Sequence, residues 1–450
     1  SLQAGHFNDF VQVVQLRGAL YRALAKEPDG LTHERVAQRV TEELGLDMTD
    51  FAKAPDAKYA LRDEAWRALR EVVNYRLYQD LERGWRVTMP NLEQTGLLRI
   101  EYLSLNELCA DQAAWAGVHP LLRDDDPKHR YEVAATLLDE LRRNLAIDVR
   151  CLTEPGFDEI RRLSMQHLTE TWGLGPREAA SEAQTAYPRP SGKRSPRSHL
   201  HLSGRGAFGK YLVREYGSAC TVADAQEVIR SLLEVLADAG IVRRVSAKED
   251  DGGYRLSASA LLWRAGTGEH GAEDRVRRTL AADTEARVNT FFRDLYREQS
   301  HLLVGMRAKE HTAQVSPLDR EQREMEFRDG DLPMLFCSST MELGVDIAAL
   351  NAVALRNVPP TPANYAQRAG RAGRSGQPAL VVTYCSTGNS HDQYYFNRRG
   401  EMVSGSVVAP RLDLANEDLI RSHVHAIWLA ETGVELPGSL AKVVDTGGER

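Results

Sequence analysis

The chain reads Gln367-Arg-Ala-Gly-Arg-Ala-Gly-Arg374 within a predicted helix, with three arginines spaced three apart and glycines between them. On such a helix Gln367, Arg371 and Arg374 occupy positions i, i+4 and i+7 and share one stripe. Each glycine costs about 1 kcal/mol in a helix interior, which favours a close approach of a nucleotide or another backbone on that side. The stretch therefore predicts a site that binds phosphate.

The residues around this helix alternate between strands and helices. Apolar runs predict buried strands at 333–340, 352–358 and 379–385. Thr361 can cap the arginine helix and Pro362 can occupy its first turn, so the helix lies between the second and third strands. This order predicts a parallel sheet with helices on its faces, and ligands belong at the carboxyl ends of its strands.

Three segments of this region resemble the second RecA-like lobe of superfamily 2 helicases, in the order and at the spacings of that family. The segment 338–347 resembles motif V and 367–374 resembles motif VI, while Arg320 with 327–330 resembles the family's arginine and F-x-x-G segment. The resemblance implies an α/β RecA-like lobe with a parallel sheet, of the P-loop NTPase type but without a P-loop of its own.

The resemblance also implies roles for single residues at the nucleotide. Arg371 and Arg374 match the arginine fingers that meet the γ-phosphate of ATP, and Gly344, Asp346 and Gln367 match positions that bind the nucleotide. An arginine that meets the transition state of phosphoryl transfer contributes on the order of 10³ to 10⁵ in rate, because the charge that it neutralises develops during the reaction.

Contacts with nucleic acid are implied for Arg320, Ser338 and Thr340, where family members hold the phosphate backbone of the tracking strand. Such contacts position nucleic acid without reading its sequence. Ser338 replaces the usual threonine and keeps the hydroxyl. Pro317 stands where members with a Q-x-x-R segment carry glutamine, so the assignment of Arg320 depends on its distance from Phe327.

The other half of an ATPase site is not evident in the sequence. A phosphate-binding loop ends in Gly-Lys-Ser/Thr, and an acidic D-E motif holds magnesium. The segment 204–210 has the glycine and lysine spacing, but Tyr211 replaces the hydroxyl residue, and Asp63-Glu-Ala-Trp66 falls within a predicted helix at 59–75. We therefore expect a first RecA-like lobe, with ATP and Mg²⁺, elsewhere in a longer helicase, and no ATPase activity from this chain alone.

Composition indicates a chain of two or three domains. It has 450 residues, of which 42% are hydrophobic and 27% are charged. Five scattered cysteines without a C-x-x-C pair argue against zinc and fit a reducing cytoplasm. No basic-then-apolar leader is apparent, and no apolar run approaches the roughly 18 residues of a membrane helix. We expect a cytoplasmic protein with no bound metal and no membrane partner.

One segment is strongly basic although the net charge of the chain is −7. Residues 183–214 contain no Asp or Glu, and their lysines and arginines are interspersed with proline and glycine. This composition predicts a flexible basic linker. The linker either lies along a phosphate backbone or serves as a soluble tether, and the sequence leaves both interpretations open.

Beyond the linker, the pattern predicts helices at 208–216 and 221–236 and strands at 241–245 and 254–263. Helix, helix and hairpin in this order resemble a winged-helix module. Such modules in helicases commonly bind duplex DNA or press on the fork, and many others only hold proteins together.

Histidines and carboxylates come after the arginine helix at 391–396, 410–416 and 423–426. They raise a metal hypothesis, but their spacing over separate predicted helices favours a seam between domains. The D-Q-Y-Y stretch within the first of them resembles the segment after motif VI in bacterial helicases that carry a DUF1998 region. Relatives of those proteins include DNA-repair and phage-defence helicases, so the resemblance implies DNA rather than RNA.

The sequence thus predicts five parts and leaves two functions open. The parts are a helical scaffold at 1–180, a basic linker at 181–203, a winged-helix-like module at 204–268, the second RecA-like lobe at 269–411 and a helical extension at 412–450. The first function is the C-terminal lobe of an ATP-dependent DNA helicase or translocase, with DNA and an N-terminal RecA-like lobe as partners. The alternative is a non-catalytic module that binds nucleic acid or protein.

Overall fold

A computed structural model of the chain describes residues 2–82, 89–175, 177–190, 196, 198–245, 252–277, 288–338, 350–373, 378–405 and 416–435. The chain forms two compact units, Ser1–Met341 and Glu342–Arg450. None of the helices in the described residues is both long enough and apolar enough to cross a membrane.

The first unit is built mainly from α-helices. Local signals fix where several of them begin: the Asp126 carboxylate accepts hydrogen bonds from the amides of Lys128 and His129, and Thr221 and Asp224 form a reciprocal capping box. The helices are α1 (Leu2–Ala25), α2 (His33–Glu43), α3 (Met48–Phe51), α4 (Ala60–Asp80), α5 (Leu105–Ala110), α6 (Pro120–Arg123), α7 (Pro127–Arg143), α8 (Glu154–His167), α9 (Ala207–Tyr216), α10 (Val222–Asp238), α11 (Thr290–Asp294) and α12 (Pro317–Asp329).

In the described part of the first unit, three sheets accompany these helices. Their strands are β1 (Leu31–Thr32), β2 (Leu98–Tyr102), β3 (Ile147–Asp148), β4 (Thr185–Tyr187), β5 (His199–His201), β6 (Val242–Val245), β7 (Gly253–Ser257), β8 (Leu261–Ala265), β9 (Ala308–His311) and β10 (Met334–Cys337). One sheet has the antiparallel order β1-β8-β2, a second has the order β3-β7-β4-β5 with β6 also paired to β7, and β9 pairs with β10 in parallel.

The winged-helix prediction is met only in the order of its elements. Helices α9 and α10 and the antiparallel β6–β7 pair lie where they were expected. The expected strand at 254–263 is wrong, because a short 3₁₀ turn at Ala258–Ala260 divides it into β7 and β8, which enter different sheets. Since β7 also pairs with β3 and β4, the hairpin belongs to a larger sheet, and the winged-helix identity stays a prediction.

The first 180 residues are not purely helical, which corrects the expectation of an all-α scaffold. Strand β2 pairs with β8 over five residues, from Leu98 opposite Ala265 to Tyr102 opposite Leu261. One cluster of buried apolar side chains extends from Val13 to Tyr296. Long-range strand pairing, which helical periodicity does not reveal, therefore joins this region to residues beyond 181–203. The prediction of a flexible linker at 181–203 is wrong in part, because β4 and β5 lie within it and pair in a sheet.

Arg130 and Arg142 are two of the buried arginines in this region, and both are hydrogen-bonded. Arg142 donates to both carboxylate oxygens of Glu93, at 2.6 and 2.8 Å. Arg130 donates to backbone carbonyl groups, including that of Cys109 at 2.7 Å, and its guanidinium lies 4.8 Å from the ring centre of Trp115. Burying a charge is costly unless it is paired and hydrogen-bonded. Arg142 meets that requirement with Glu93, whereas the charge of Arg130 is compensated by carbonyl oxygens and by the Trp115 ring.

The second unit is smaller and includes residues 367–374, which we call the arginine segment. Its elements are β11 (Ala352–Leu355), α13 (Pro362–Ala369), β12 (Leu380–Thr383), α14 (Ser390–Asn397), α15 (Arg399–Val403) and α16 (Glu417–Thr432). Strands β11 and β12 pair in parallel, with Ala352 opposite Leu380. Helix α13 lies between these strands in the chain, which is the β-α-β order that the sequence predicts.

A second β-α-β arrangement lies in the first unit, where α12 connects the parallel strands β9 and β10. The described residues therefore place the three predicted strands in two separate pairs: β10 pairs with β9 in the first unit, and β11 pairs with β12 in the second. Each pair has its own connecting helix.

Candidate nucleotide and nucleic-acid site

The helix of the arginine segment begins as its sequence predicts. The Thr361 hydroxyl accepts a hydrogen bond from the amide of Asn364 at 3.2 Å, and Pro362 occupies the first turn. The proline loses no hydrogen bond there, since the first amides of a helix have no intrahelical partner. The predicted cap of α13 is confirmed.

The end of the helix differs from the prediction. Helix α13 stops at Ala369, and Arg371 lies in the turn that comes after it. Ala372 forms a parallel bridge with Leu350, and Gly373 has a φ of +73°, which an α-helix does not allow. The predicted i, i+4, i+7 stripe is therefore wrong, because tertiary pairing with Leu350 takes the backbone out of the helix.

The matched residues of this segment differ in exposure. Gln367 is exposed on the last turns of α13, whereas Arg371 is half-buried. The Arg371 amide donates to the carbonyl of Arg368 at 3.3 Å, and the next residue is fixed by the bridge to Leu350. The backbone at Arg371 is thus held on both sides, by the carbonyl of Arg368 before it and by the bridge of Ala372 after it. Arg374, the second predicted finger, lies outside the described residues, as do Gly344 and Asp346.

A buried carboxylate lies beside the connection that leads into α13. Asp392, on α14, has no solvent exposure. Its two oxygens accept hydrogen bonds from the Asn357 side-chain amide at 2.9 Å, from the Val358 amide at 3.2 Å and from the Ser386 amide at 2.9 Å. Burial alone would raise the pKa of Asp392, but these hydrogen bonds outweigh it and lower the pKa below its ordinary value.

The neighbours of Asp392 extend the same set of contacts. The Nε2–H of His391 donates to the carbonyl of Pro359 at 3.0 Å, and the Gln393 side chain donates to the carbonyl of Ser386 at 3.0 Å. Asn389 caps α14 by accepting from the amides of residues 391 and 392. Three consecutive side chains of α14 therefore bind the segments that come after β11 and β12.

The sequence marked Asp392 only as part of the D-Q-Y-Y stretch and gave it no role of its own. The sequence alone does not distinguish a buried carboxylate that accepts hydrogen bonds from backbone amides from a carboxylate that is solvated. Its available signal was Asn389, three residues earlier, which marks a helix start. Among the described residues no group of three or more His, Cys, Asp or Glu is arranged to hold a metal ion. Most of 410–416 lies outside those residues.

The nucleic-acid candidates that the structure describes lie on the β9–α12–β10 arrangement. Arg320 lies near the start of α12, which Ser316 caps by accepting from the amide of Asp319 at 3.2 Å. Ser338 comes directly after β10, and Arg320 is half-buried. A helix that comes after a parallel strand begins at the carboxyl edge of the sheet, so the two residues share that edge. Thr340 lies outside the described residues.

His311, a residue that sequence reasoning missed, ends β9 at the same edge. Its side chain is fully buried, and Nε2 lies 2.6 Å from a carboxylate oxygen of Glu324 on α12. Lys309 pairs with Glu326 at 2.7 Å and adds a second tie between the strand and the helix. These contacts fix α12, and with it Arg320, against β9.

The two segments that mimic an ATP-binding site have structural roles. A Cβ at Gly204 would lie 2.1 Å from the carbonyl oxygen of Val222, and one at Gly209 would lie 2.3 Å from that of Gly204, so these glycines permit close backbone packing. Asp63 and Glu64 are exposed on α4. Neither segment has the form of a phosphate-binding or magnesium-binding motif.

Comparison with known proteins agrees with the motif assignment. Residues 277–376 match the family described as helicase conserved C-terminal domain. Over 145 residues the chain is 46% identical to "Druantia protein DruE" of Escherichia coli (strain UMEA 4076-1), a match that covers 29% of this chain and 8% of that protein. The chain therefore spans a small part of the length of this relative. Residues 277–376 carry a helicase-type C-terminal lobe, which implies a RecA-like α/β fold.

Proposed function

We propose that the chain supplies the C-terminal lobe of an ATP-dependent DNA helicase or translocase. The proposal rests on one observation: Arg371 lies in a fixed turn directly after a capped helix, within the residues that match a helicase C-terminal domain. A guanidinium held in this way can neutralise charge that develops on a transferring phosphoryl group. The turn that removes Arg371 from the helix makes a rigid support for it.

The phosphate pocket belongs, in this proposal, to a first RecA-like lobe that holds ATP and Mg²⁺. Arg371 and Arg374 reach the γ-phosphate from the second lobe, and Gly344, Asp346 and Gln367 contact the rest of the nucleotide. Closure of the two lobes around ATP would then couple the nucleotide state to movement along the strand. The packing glycines of 204–210 agree with a phosphate loop that is encoded elsewhere.

Nucleic acid is bound at the carboxyl edge of β9 and β10. Arg320, Ser338 and Thr340 hold the phosphate backbone there, and the ties from α12 to His311 and Lys309 keep Arg320 in place. Backbone contacts of this kind carry no sequence preference. We take the strand to be DNA, single-stranded or at a junction with duplex, as in the DUF1998-associated helicases that the D-Q-Y-Y stretch resembles.

The test is the ATPase activity of the full-length protein with and without single-stranded DNA. We expect Arg371→Ala to lower DNA-stimulated turnover by about 10³-fold or more. Arg421→Ala is the matched control, because Arg421 is an exposed arginine of the same unit that pairs with Glu417 of its own helix. Unchanged turnover in Arg371→Ala would remove the arginine-finger role.

A second candidate is a non-catalytic module that binds nucleic acid or protein. The observation in its favour is the succession of α9, α10 and the β6–β7 hairpin, which has the order of a winged helix. It predicts DNA or protein binding without ATP turnover. The full-length protein would then bind single-stranded DNA equally well with ADP, with a non-hydrolysable ATP analogue or with no nucleotide.

A further inference from the structure

The buried carboxylate of Asp392 has an unusual set of partners. Its oxygens accept hydrogen bonds from three neutral amide groups of the described residues, two of the backbone and one of a side chain. An apolar side chain in the same space would avoid the cost of burying a charge, but it would leave these donors without an acceptor. What the carboxylate adds is geometry, since two oxygens with several lone pairs can fix three donors at once.

The donors belong to two loops at one edge of the β11–β12 pair. Asn357 and Val358 come after β11, and Ser386 comes after β12. Because the two strands are parallel and in register, both loops leave the carboxyl edge, where ligands of α/β sheets bind. Asp392 therefore joins the two strand ends from the side of α14.

The first of these loops leads directly into the helix that precedes Arg371. Only residues 359 and 360 separate Val358 from the cap residue Thr361, and His391 binds the carbonyl of Pro359. On the other side, a Cβ at Gly405 would lie 2.7 Å from Cγ of Pro362, so the segment after α15 packs closely on the first turn. The start of α13 is thus held on two sides.

Helix α13 carries this constraint to the arginine. It is eight residues long, and at 1.5 Å per residue it spans about 12 Å as a stiff rod. A shift or tilt at its first turn therefore moves the turn that comes after the helix, where Arg371 lies. Misplacing a catalytic group by about 1 Å can lower a rate by about 10²-fold.

We propose that Asp392 is a positioning residue, which sets the place of Arg371 by fixing the loop between β11 and α13. The inference rests on the proposed function, because it assigns Arg371 a role at the nucleotide. Asp392 itself touches neither nucleotide nor nucleic acid. It acts through Asn357 and Val358 on the start of the helix, and His391 and Gln393 support the same arrangement.

The test is Asp392→Asn in the full-length protein. The amide keeps the size of the side chain, but it replaces one of the two accepting oxygens with an NH₂ group, which cannot accept from an N–H donor. We expect kcat for DNA-stimulated ATP hydrolysis to fall by roughly 10- to 100-fold, with KM for ATP and the affinity for single-stranded DNA within about twofold of the unaltered protein. A general loss of folded protein would lower active-site concentration and DNA binding together.

A double variant separates positioning from a merely structural role. If Asp392 acts through Arg371, Asp392→Asn combined with Arg371→Ala should be no slower than Arg371→Ala alone, because the residue it positions has been removed. Losses that multiply in the double variant would overturn the proposal. Should Asp392→Asn fail to fold, Asn357→Ala removes one partner and should give the same pattern with a smaller fall in kcat.

The matched control is Glu401→Gln, because Glu401 is an exposed carboxylate of α15 that accepts from the Tyr394 hydroxyl at 3.1 Å. It should leave kcat unchanged. If Arg371→Ala is fully active, the proposed function fails and the positioning role fails with it. If Arg371→Ala is inactive while Asp392→Asn keeps normal kcat, only the positioning role is wrong.

Discussion

The two units of this chain are stabilised in different ways. The first has an extended apolar core that encloses Trp115, Trp263 and the hydrogen-bonded Arg130 and Arg142. In the described part of the second unit, the buried apolar side chains are Leu355, Val358, Pro359 and Met402. The aromatic and aliphatic side chains of β12 and α16 are largely exposed.

The contrast between the units shows which interactions make the second unit rigid. Apolar burial contributes about 25 cal/mol per Å², and the second unit has little of it among its described residues. The hydrogen bonds around Asp392 and the bridge between Leu350 and Ala372 hold the arginine segment in its place. Polar contacts fix direction more strictly than apolar packing does, which suits the role that we propose for the guanidinium of Arg371.

Hydrogen exchange should show the largest contrast between the units. Helix α7 has a buried face that includes Val133, Leu137 and Leu141, whereas α16 buries none of its residues. An isolated helix of this length is marginally stable in water. We expect core amides of α7 to exchange at least about 10³-fold more slowly than those of α16.

Mass spectrometry of peptides from the two helices measures this rate difference directly. Peptides from α10, whose buried face includes Ile229 and Leu233, provide a second reference within the first unit. Comparable protection of α16 and α7 would show that α16 is covered in solution, and the contrast between the units would then be smaller than the described residues suggest.

Truncating a buried apolar side chain of the first unit should lower the free energy of unfolding by a few kcal/mol more than truncating an exposed one of the second. Leu137→Ala empties space in a fully buried site and should lower the free energy of unfolding by about 2–5 kcal/mol. Leu380→Ala, at a side chain that is 61% exposed on β12, should change it by less than about 0.5 kcal/mol. Urea titration of both variants tests the pair. Equal losses would contradict the assignment of the stabilising core to the first unit.

Acid should destabilise the second unit by protonating Asp392, and we expect this effect to be smaller than that of truncating Leu137. Because hydrogen bonds lower its pKa in the folded state, the ionised carboxylate contributes stability above the ordinary aspartate pKa of about 3.9. That contribution is lost as the pH falls through the lower folded value. We expect the stability of Asp392→Asn to depend less on pH than that of the unaltered protein as the pH falls from about 5 to about 3.

Urea titrations at several pH values in this range give the two slopes, with Glu401→Gln as a control that keeps Asp392. A steeper acid dependence in Asp392→Asn would reverse the sign and show that the folded state does not favour the ionised form.

The sequence predicted features that depend on neighbouring residues. Thr361 and Pro362 define the start of α13 because a cap and a first-turn proline act within a few positions. The parallel β11–β12 pair was predicted from apolar runs separated by a helix. The motif segments around Arg371 were instead assigned by their resemblance to superfamily 2 helicases, and residues 277–376 match a helicase C-terminal domain.

Features that depend on distant residues were missed. Helix α13 ends early because Ala372 pairs with Leu350, which no local pattern indicates. Asp392 finds partners 34 and 35 positions earlier in the chain, at Val358 and Asn357. The expected strand at 254–263 is divided because its halves pair with strands from different parts of the chain. Only the fold brings such partners together.

The most direct test of the account compares two ligands of the full-length protein, ADP and ADP with aluminium fluoride. The second mimics the transferring phosphoryl group, to which an arginine finger should bind more strongly than to the ground state. We predict that the unaltered protein prefers the mimic and that Arg371→Ala loses about 10³-fold of this preference while its affinity for ADP stays the same. An equal preference in both proteins would contradict the account.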